Sequence, residues 1–153
     1  MSDLPAAVRN IHSLLARGGQ SLLIFLASNP VFRMYRKMAA NTKWSPHMKD
    51  VETFIPVYQD STDPAGEFES LLSRTGFSVR KCQALDFSFT FSNKNQLLAA
   101  LKAVNPFLSR IPEEKQSEFL SDCVSSLLSL EPRAEEGKIE AKYRLLVAHM
   151  CKS

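Results

Sequence analysis

The amino-acid sequence predicts an α/β domain with three β-strands. Residues 21–27 form an apolar run, residues 79–91 alternate apolar and polar side chains, and residues 138–151 are centred on a second apolar run. Apolar residues recur at helical spacing between these segments, so we expect helices to separate the strands. The chain has 153 residues, of which 44% are hydrophobic and 23% charged, so it is long enough and apolar enough to bury a core.

The first helix is predicted to open at Asp3 and Pro5, because aspartate caps helix N-termini and proline is tolerated in a first turn. It is predicted to end at Gly18-Gly19, since glycine readily adopts the left-handed conformation of a C-cap. The strand that follows, residues 21–27, is apolar at consecutive positions. Such a pattern is typical of strands that are covered on both faces.

A second helix is predicted to begin at Asn29-Pro30 and to end near Asn41. Residues 42–62 are rich in apolar side chains but show neither helical nor alternating periodicity, so we expect irregular structure or short helices there. Long segments of this kind in a compact domain are often lids or binding loops. We therefore expect this segment to contribute to a binding site.

Three more helices and two strands are predicted after residue 62. The phenylalanines at 87, 89 and 91 alternate with polar residues, which predicts a strand with one well-buried face. The predicted elements are a helix from Asp63-Pro64 to Gly76, the strand 79–91, a helix capped by Ser92 and broken at Asn105-Pro106, a helix that starts at Pro112, a turn over 132–137 and the strand 138–151.

The charge pattern gives little support for nucleic-acid binding. The formal net charge of +3 is small, whereas nucleic-acid-binding domains usually have a stronger basic balance. One local basic cluster stands out. A solvated helix face is its simplest interpretation, and a patch that binds nucleic acid or a membrane surface is the alternative. The cluster comprises Arg33, Arg36, Lys37, Lys43 and Lys49.

The cysteines and the chain start favour a cytoplasmic protein. Cys82, Cys123 and Cys151 lie far apart in apolar segments, so buried thiols are expected rather than disulfides or metal ligands. No apolar run approaches the roughly 18 residues of a membrane span. The stretch MSDLPAAV has an early acid and no apolar core, so it does not resemble a signal peptide.

The glycine pattern argues against a nucleotide-binding loop. In the dinucleotide fingerprint, glycines follow a strand and precede a helix, whereas Gly18-Gly19 follow a helix and precede a strand. Gly66, Gly76 and Gly137 are isolated, and neither GxGxxG nor GxxxxGK occurs. Ligands of open α/β sheets bind beyond the carboxyl ends of strands, so the far end of the first strand is more informative.

Ser28 and Asn29 follow that strand, and the next helix carries Phe32, Tyr35 and Met38. These five residues are candidates for one wall of an apolar pocket. The alternative is that Asn29 only caps the helix and that the aromatic and methionine side chains belong to the core. The residues alone leave both interpretations open.

Hydrolytic and metal-dependent chemistry find no support in the sequence. His12, His47 and His149 are scattered, and no GxSxG nucleophile motif occurs. No spacing of histidine, cysteine and carboxylate residues fits a metal site. We therefore predict no catalytic residues and no metal ligands.

The chain resembles juvenile hormone acid O-methyltransferases and their arthropod relatives over almost its whole length. This family belongs to the class I methyltransferases, which use S-adenosylmethionine, so the resemblance implies that cofactor for the family. The similarity is carried by the stretches LLARGGQSLLIFLASNPVFRMYRKM, KWSPHMKDVETFIPVYQDSTDPAGEFESLLSRTGF and KAVNPFLSRIPEEKQSEFLSDCV.

The resemblance implies a partial Rossmann-like fold. The three strands would be the fifth, sixth and seventh of the family sheet, in the spatial order 5-7-6 with the last strand antiparallel. Residues 1–153 would then be the carboxyl-terminal half of a methyltransferase domain, on the acceptor-pocket side. The resemblance assigns the glycine-rich cofactor loop to the amino-terminal half. We therefore expect this chain alone to be inactive and not to bind S-adenosylmethionine tightly.

The implied acceptor is a hydrophobic carboxylic acid such as farnesoic acid or a juvenile hormone acid. The resemblance also adds Trp44, Met48 and Tyr58 to the pocket candidates. Methyl transfer from a sulfonium to a carboxylate needs alignment and a dry pocket more than acid–base catalysis.

The alternative function is a non-catalytic module that binds an apolar ligand or a partner. A sheet that ends beside the family's fifth strand has an unpaired edge, and such edges promote association. Whichever of the two functions it has, we therefore expect the chain to dimerise or to associate with another chain through this edge.

Overall fold

A computed structural model describes residues 3–130, 134–135 and 137–153. They divide into two units: the first contains described residues of 1–28, 56–87 and 143–153, and the second those of 29–55 and 88–142. The predicted α/β class is confirmed. The helices are α1 (Leu4–Leu14), α2 (Pro30–Ala40), α3 (Pro64–Thr75), α4 (Lys94–Val104) and α5 (Glu113–Leu130).

Three long strands lie side by side in the order β1, β4, β2, which is the predicted order. β4 runs antiparallel to β1, with Gln20 opposite Cys151, and a register irregularity lies between Leu26 and Ser28. A fourth, short strand pairs with β4. The strands are β1 (Gln20–Ser28), β2 (Phe77–Phe91), β3 (Ala134–Glu135) and β4 (Lys138–Lys152).

Helix α1 ends earlier than the glycine pair predicts. Asp3 caps its N-terminus as expected, and the carboxylate accepts a hydrogen bond from the Ala6 N–H at 2.9 Å. The helix stops at Leu14, because Leu15 already has an extended backbone. Gly18, with φ of 73°, instead forms the turn that leads into β1.

Lys152, at the end of β4, caps the C-terminus of α1. Its Nζ donates to the carbonyl oxygens of His12 at 2.9 Å and Leu15 at 2.8 Å. Its backbone also pairs with Gly18 and Gly19, which fixes the chain where it enters β1. A lysine distant in sequence thus satisfies helix carbonyls that a glycine cap was expected to satisfy.

The other helix boundaries follow local capping rules. Gly76, with φ of 101°, closes α3 as predicted, and its N–H donates to the last carbonyls of that helix. The predicted cap of α4 is wrong by one residue: Asn93 rather than Ser92 accepts a hydrogen bond from the Gln96 N–H. The Gln96 side chain accepts in return from the Ser92 N–H, so the two bonds form a reciprocal cap.

The segment predicted to be irregular, residues 42–62, contains only two short 3-10 turns, Ser45–His47 and Val51–Phe54. The predicted turn over 132–137 lies partly outside the described residues. Within them, β3 pairs antiparallel with the start of β4, and Gly137 between the two strands has φ of 79°.

The sheet of the first unit is buried on one face. Phe25 of β1 contacts the ring of Phe68 of α3 edge-on, with centroids 5.0 Å apart. Leu22 and Ile24, which alternate with the inward-facing residues, are 62% and 59% exposed. The prediction that both faces of this strand are covered is therefore wrong. Helices α1 and α3 contribute Val8, Phe68 and Leu72 to the cluster against which Leu23 and Phe25 pack.

The phenylalanines of β2 are also more exposed than predicted. Phe87 and Phe89 are 43% and 51% exposed, so the predicted well-buried face is wrong. Phe87 stacks on Tyr143, and Phe89 contacts the edge of Phe91. Alternation predicts which side of a strand a residue faces, but it does not predict what covers that side.

Candidate functional site

The second unit is built around a core of aromatic and methionine side chains, here called the Trp44 cluster. Trp44 is fully buried, its ring contacts Phe119 edge-on, and its Nε1 donates to Asp122 Oδ2 at 2.9 Å. Helices α2, α4 and α5 supply most of the remaining members. The cluster comprises Met34, Tyr35, Met38, Trp44, Met48, Leu97, Leu101, Phe107, Ile111, Phe119, Cys123, Val124, Leu127 and Ile139.

Five of the eight predicted pocket residues meet in or beside this cluster. Tyr35, Met38, Trp44 and Met48 are at most 3% exposed. Phe32 is half-buried and contacts the Tyr35 ring at a centroid distance of 6.0 Å. The structure therefore brings together the aromatic and methionine side chains that the sequence placed on α2 and in the following segment.

The other three predicted residues lie elsewhere. Asn29 caps α2, and its Oδ1 accepts from the Val31 N–H at 2.9 Å. Ser28 is the last residue of β1, and Tyr58 is buried in the cluster of the first unit beside Phe68. Contact of any of the eight residues with a substrate stays a prediction.

The buried hydroxyl and thiol groups remain protonated at neutral pH. Burial raises the pKa of the Cys123 thiol to about 12, and the negative charge of Asp122 acts in the same direction. Burial also raises the pKa of the Tyr35 hydroxyl above its ordinary value. A protonated thiol is a poor nucleophile, so the cluster supplies an apolar environment and no general base.

The chain after α2 returns along the cluster as a strap, defined here as residues 49–54. Its backbone hydrogen bonds are local: the Val51 N–H donates to Met48 O and the Thr53 N–H to Asp50 O. Among the described residues, no backbone hydrogen bond joins the strap to a helix or strand. Side chains therefore hold it in place, beginning with Val51 and Phe54, which pack against the Trp44 cluster.

Two arginines from different elements hold the strap by its two acids. Arg36 of α2 contacts both Glu52 oxygens, at 2.8 Å and 2.9 Å. Arg110, in the 3-10 turn Leu108–Arg110, contacts both Asp50 oxygens, at 2.5 Å and 3.1 Å. Both contacts have the bidentate geometry that makes arginine–carboxylate pairs specific.

Arg110 also lies against aromatic rings. Its guanidinium carbon is 5.5 Å from the ring centre of Phe54 and 5.3 Å from that of Phe107, which are cation–π distances. Beside the strap, a groove of about 490 Å³ opens. The groove is lined by Ala39, Ser45, Pro46, Met48, Lys49 and Val51.

The basic cluster of the sequence is largely engaged within the second unit. Arg36 pairs with Glu52, Lys43 pairs with Glu118, and Lys37 donates to Ser129 Oγ at 2.7 Å. These contacts favour the interpretation as a solvated helix face. Among the residues that the structure describes, no helix combines the length and apolar character needed to cross a bilayer.

The glycines do not form a cradle for a nucleotide-like cofactor. A Cβ added at Gly18 or Gly137 would meet no atom within 4 Å, and one at Gly76 would meet the His12 imidazole at 3.1 Å. Each of these three glycines serves a turn or a helix end. None of these described glycines forms a cofactor-binding turn between a strand and a helix, so no step of methyl transfer is assigned to them.

Metal and disulfide sites are also absent from the described part of the chain. No group of three or more histidine, cysteine, aspartate or glutamate residues is arranged to hold a metal ion there. Cys82, Cys123 and Cys151 are free thiols; the prediction that they are buried holds for Cys123 and is wrong for Cys82 and Cys151, which are half-buried.

Two curated juvenile hormone acid O-methyltransferases are similar to this chain. The Drosophila melanogaster protein is 35% identical over 158 aligned residues, which cover 100% of this chain and 53% of that protein. The Bombyx mori protein is 34% identical over 122 residues, which cover 80% of this chain and 43% of that protein. The chain thus spans about half the length of the curated relatives it matches.

The fold comparison agrees with the predicted fold class. A solved structure from Bacillus halodurans, of a protein assigned as a methyltransferase, matches with a TM-score of 0.50 at 18% identity. The match covers 97% of this chain and 62% of that one, so the chain contains part of that fold. No protein-family model matches the chain.

The contact between Arg110 and the strap residue Asp50 predicts a lowered pKa for the Asp50 carboxyl. Hydrogen bonding to Arg110 holds the pKa of this carboxyl below its usual range, as Arg144 does for Asp86. Because the folded-state pKa is the lower one, the pair stabilises the fold above the unfolded-state pKa, and this contribution is lost as the pH falls through the lowered value.

Arg110→Met should raise the pKa of Asp50 toward its ordinary value, as measured by NMR titration of the carboxyl carbons. Asp86, which has the same kind of arginine partner in the first unit, serves as the internal control and should not change. An Asp50 pKa that is the same in the variant and the wild type would contradict the described contact.

Proposed function

Because the chain belongs to the juvenile hormone acid O-methyltransferase family of class I methyltransferases, we propose that it is the carboxyl-terminal, acceptor-side half of such a domain. In that role it helps to enclose a hydrophobic carboxylic acid, such as farnesoic acid or a juvenile hormone acid, whose carboxylate accepts a methyl group from S-adenosylmethionine. The observation that carries the proposal is the 35% identity to the Drosophila melanogaster protein across the whole chain.

The second unit supports this role by its chemistry. Transfer of a methyl group from a sulfonium to a carboxylate needs no proton transfer, because both reacting groups are already charged. It needs the acceptor held in line and kept away from water. The buried aromatic and methionine side chains of the Trp44 cluster suit an apolar tail, and the protonated Tyr35 and Cys123 do not compete as nucleophiles.

We also propose that this chain alone neither binds S-adenosylmethionine tightly nor transfers methyl groups. The sequence has no glycine-rich loop between a strand and a helix, and the five glycines present do not form a cofactor cradle. Its contribution to the reaction is to position the acceptor. A cytoplasmic location stays a prediction.

Isothermal titration of this chain with S-adenosylmethionine should show no binding in the micromolar range. Methyl transfer to farnesoic acid should appear only when the amino-terminal part of the Drosophila melanogaster relative is added, because that part is expected to hold the cofactor. The same amino-terminal part without this chain is the control. Micromolar cofactor binding by this chain alone, or activity of the control, would contradict the proposal.

A partner-binding module is the second candidate function. The uncharged outer strand β1, with its exposed apolar side chains, favours it. The strand QSLLIFLAS carries no charged residue, although edge strands are usually protected by charges or proline. Leu22 and Ile24 are more than half exposed, and β1 is the outer strand of the described sheet. We propose that a second copy of the chain pairs with this edge.

Ile24→Lys should convert a wild-type dimer to a monomer in sedimentation velocity, because a lysine on an outer strand disfavours pairing with another strand. Leu14→Lys is the matched control: Leu14 is 85% exposed at the end of α1 and does not belong to β1, so its replacement should leave the dimer intact. A clean monomer for the wild-type chain would contradict association through β1.

A further inference from the structure

The two arginine–carboxylate pairs that bind the strap are accessible to solvent. Its carboxylates are bound through side chains that reach solvent: Arg110 and Asp50 are 38% and 45% exposed, and Arg36 and Glu52 are 34% and 65% exposed. Exposed ion pairs contribute little to stability, because water solvates the separated charges nearly as well. The charge pairs therefore add little to the cost of releasing the strap, and the remaining cost is the packing of Val51 and Phe54 against the Trp44 cluster.

The Arg110 site combines a carboxylate fork with an apolar floor. The contact with Asp50 shows that the Arg110 guanidinium can donate hydrogen bonds to both oxygens of one carboxylate. The same guanidinium lies over Phe54 and Phe107, and Phe107 is fully buried in the Trp44 cluster. A ligand that fits both features has a carboxylate head joined directly to an apolar body.

The adjacent groove extends the apolar surface. Ala39 of α2, Pro46, Met48 and Val51 line most of it, and Met48 belongs to the Trp44 cluster. Val51 and Lys49 belong to the strap itself, so movement of the strap widens this groove. The positive charge of Arg110 and the apolar groove together fit a hydrophobic carboxylic acid, the acceptor class of the proposed function. This inference rests on that proposed function.

We propose that residues 49–54 form a strap that opens to admit a long-chain carboxylic acid, and that the ligand carboxylate replaces Asp50 on Arg110. The tail then covers Phe107, from which Phe54 moves away with the strap, and continues along the groove beside Met48. Arg110 is thus a binding residue that selects carboxylates, and Asp50 is the internal competitor that occupies the fork in the closed state.

Calorimetric titration with dodecanoate, below its micelle concentration, tests the exchange. Asp50→Asn removes the competitor's charge and should tighten dodecanoate binding by about two- to fivefold, since a larger fraction of the protein is binding-competent. Glu114→Gln removes the same charge from an exposed position in the first turn of α5 and should leave the affinity unchanged.

The head-group preference is tested with Arg110→Met and with dodecanol. Arg110→Met should weaken dodecanoate binding by about fivefold or more, because a charge-assisted bidentate contact is lost. The same variant should bind dodecanol as the wild type does, which also shows that it remains folded. Dodecanol should bind the wild type more weakly than dodecanoate.

Three results would overturn the inference: equal dodecanoate affinity of Asp50→Asn and the wild type, no loss of affinity in Arg110→Met, or no dodecanoate binding by any variant. None of these measurements involves S-adenosylmethionine or methyl transfer. Failure of the strap exchange and failure of the methyltransferase assignment are therefore distinguishable.

Discussion

The grip of two arginines on two strap acids is the interaction on which the candidate site depends. The strap's backbone hydrogen bonds are local, so side chains set its position: Val51 and Phe54 pack against the Trp44 cluster, Arg36 pairs with Glu52 and Arg110 pairs with Asp50. Helices α2 and α5 supply seven of the cluster's members, none of which belongs to the strap. A firm apolar floor under a weakly held cover is an arrangement that admits an apolar ligand without unfolding the unit.

The two units differ in how they relate to the proposed reaction. The second unit offers buried aromatic side chains, neutral hydroxyl and thiol groups, and an arginine over phenylalanine rings, which together suit an amphipathic carboxylate. The first unit offers an uncharged outer strand with Leu22 and Ile24 exposed. A chain that spans about half the length of its relatives thus carries both acceptor-like chemistry and an uncovered strand edge.

Sequence reasoning succeeded where a feature depends on neighbours in the chain. Helical spacing, the Asn29 cap and the Gly76 C-cap located α2 and α3, and the family resemblance supplied the strand order. It failed where the feature depends on what packs from elsewhere. For example, sequence reasoning predicted that β1 is covered on both faces and that Phe87 is buried, and both are exposed in part. It also did not predict that Lys152 caps the end of α1. The Arg110–Asp50 pair joins residues 60 positions apart, and no periodicity marks it.

Amide hydrogen exchange in the strap, compared at low and high salt, tests the central claim most directly. If charge pairs hold the strap, the Val51 and Thr53 amides should exchange at least about threefold faster at about 1 M than at about 0.05 M sodium chloride, because salt screens exposed pairs. Amides of α5, such as that of Val124, provide the reference and should keep their rates. Strap amides whose exchange rates are the same at both salt concentrations, relative to α5, would contradict the account.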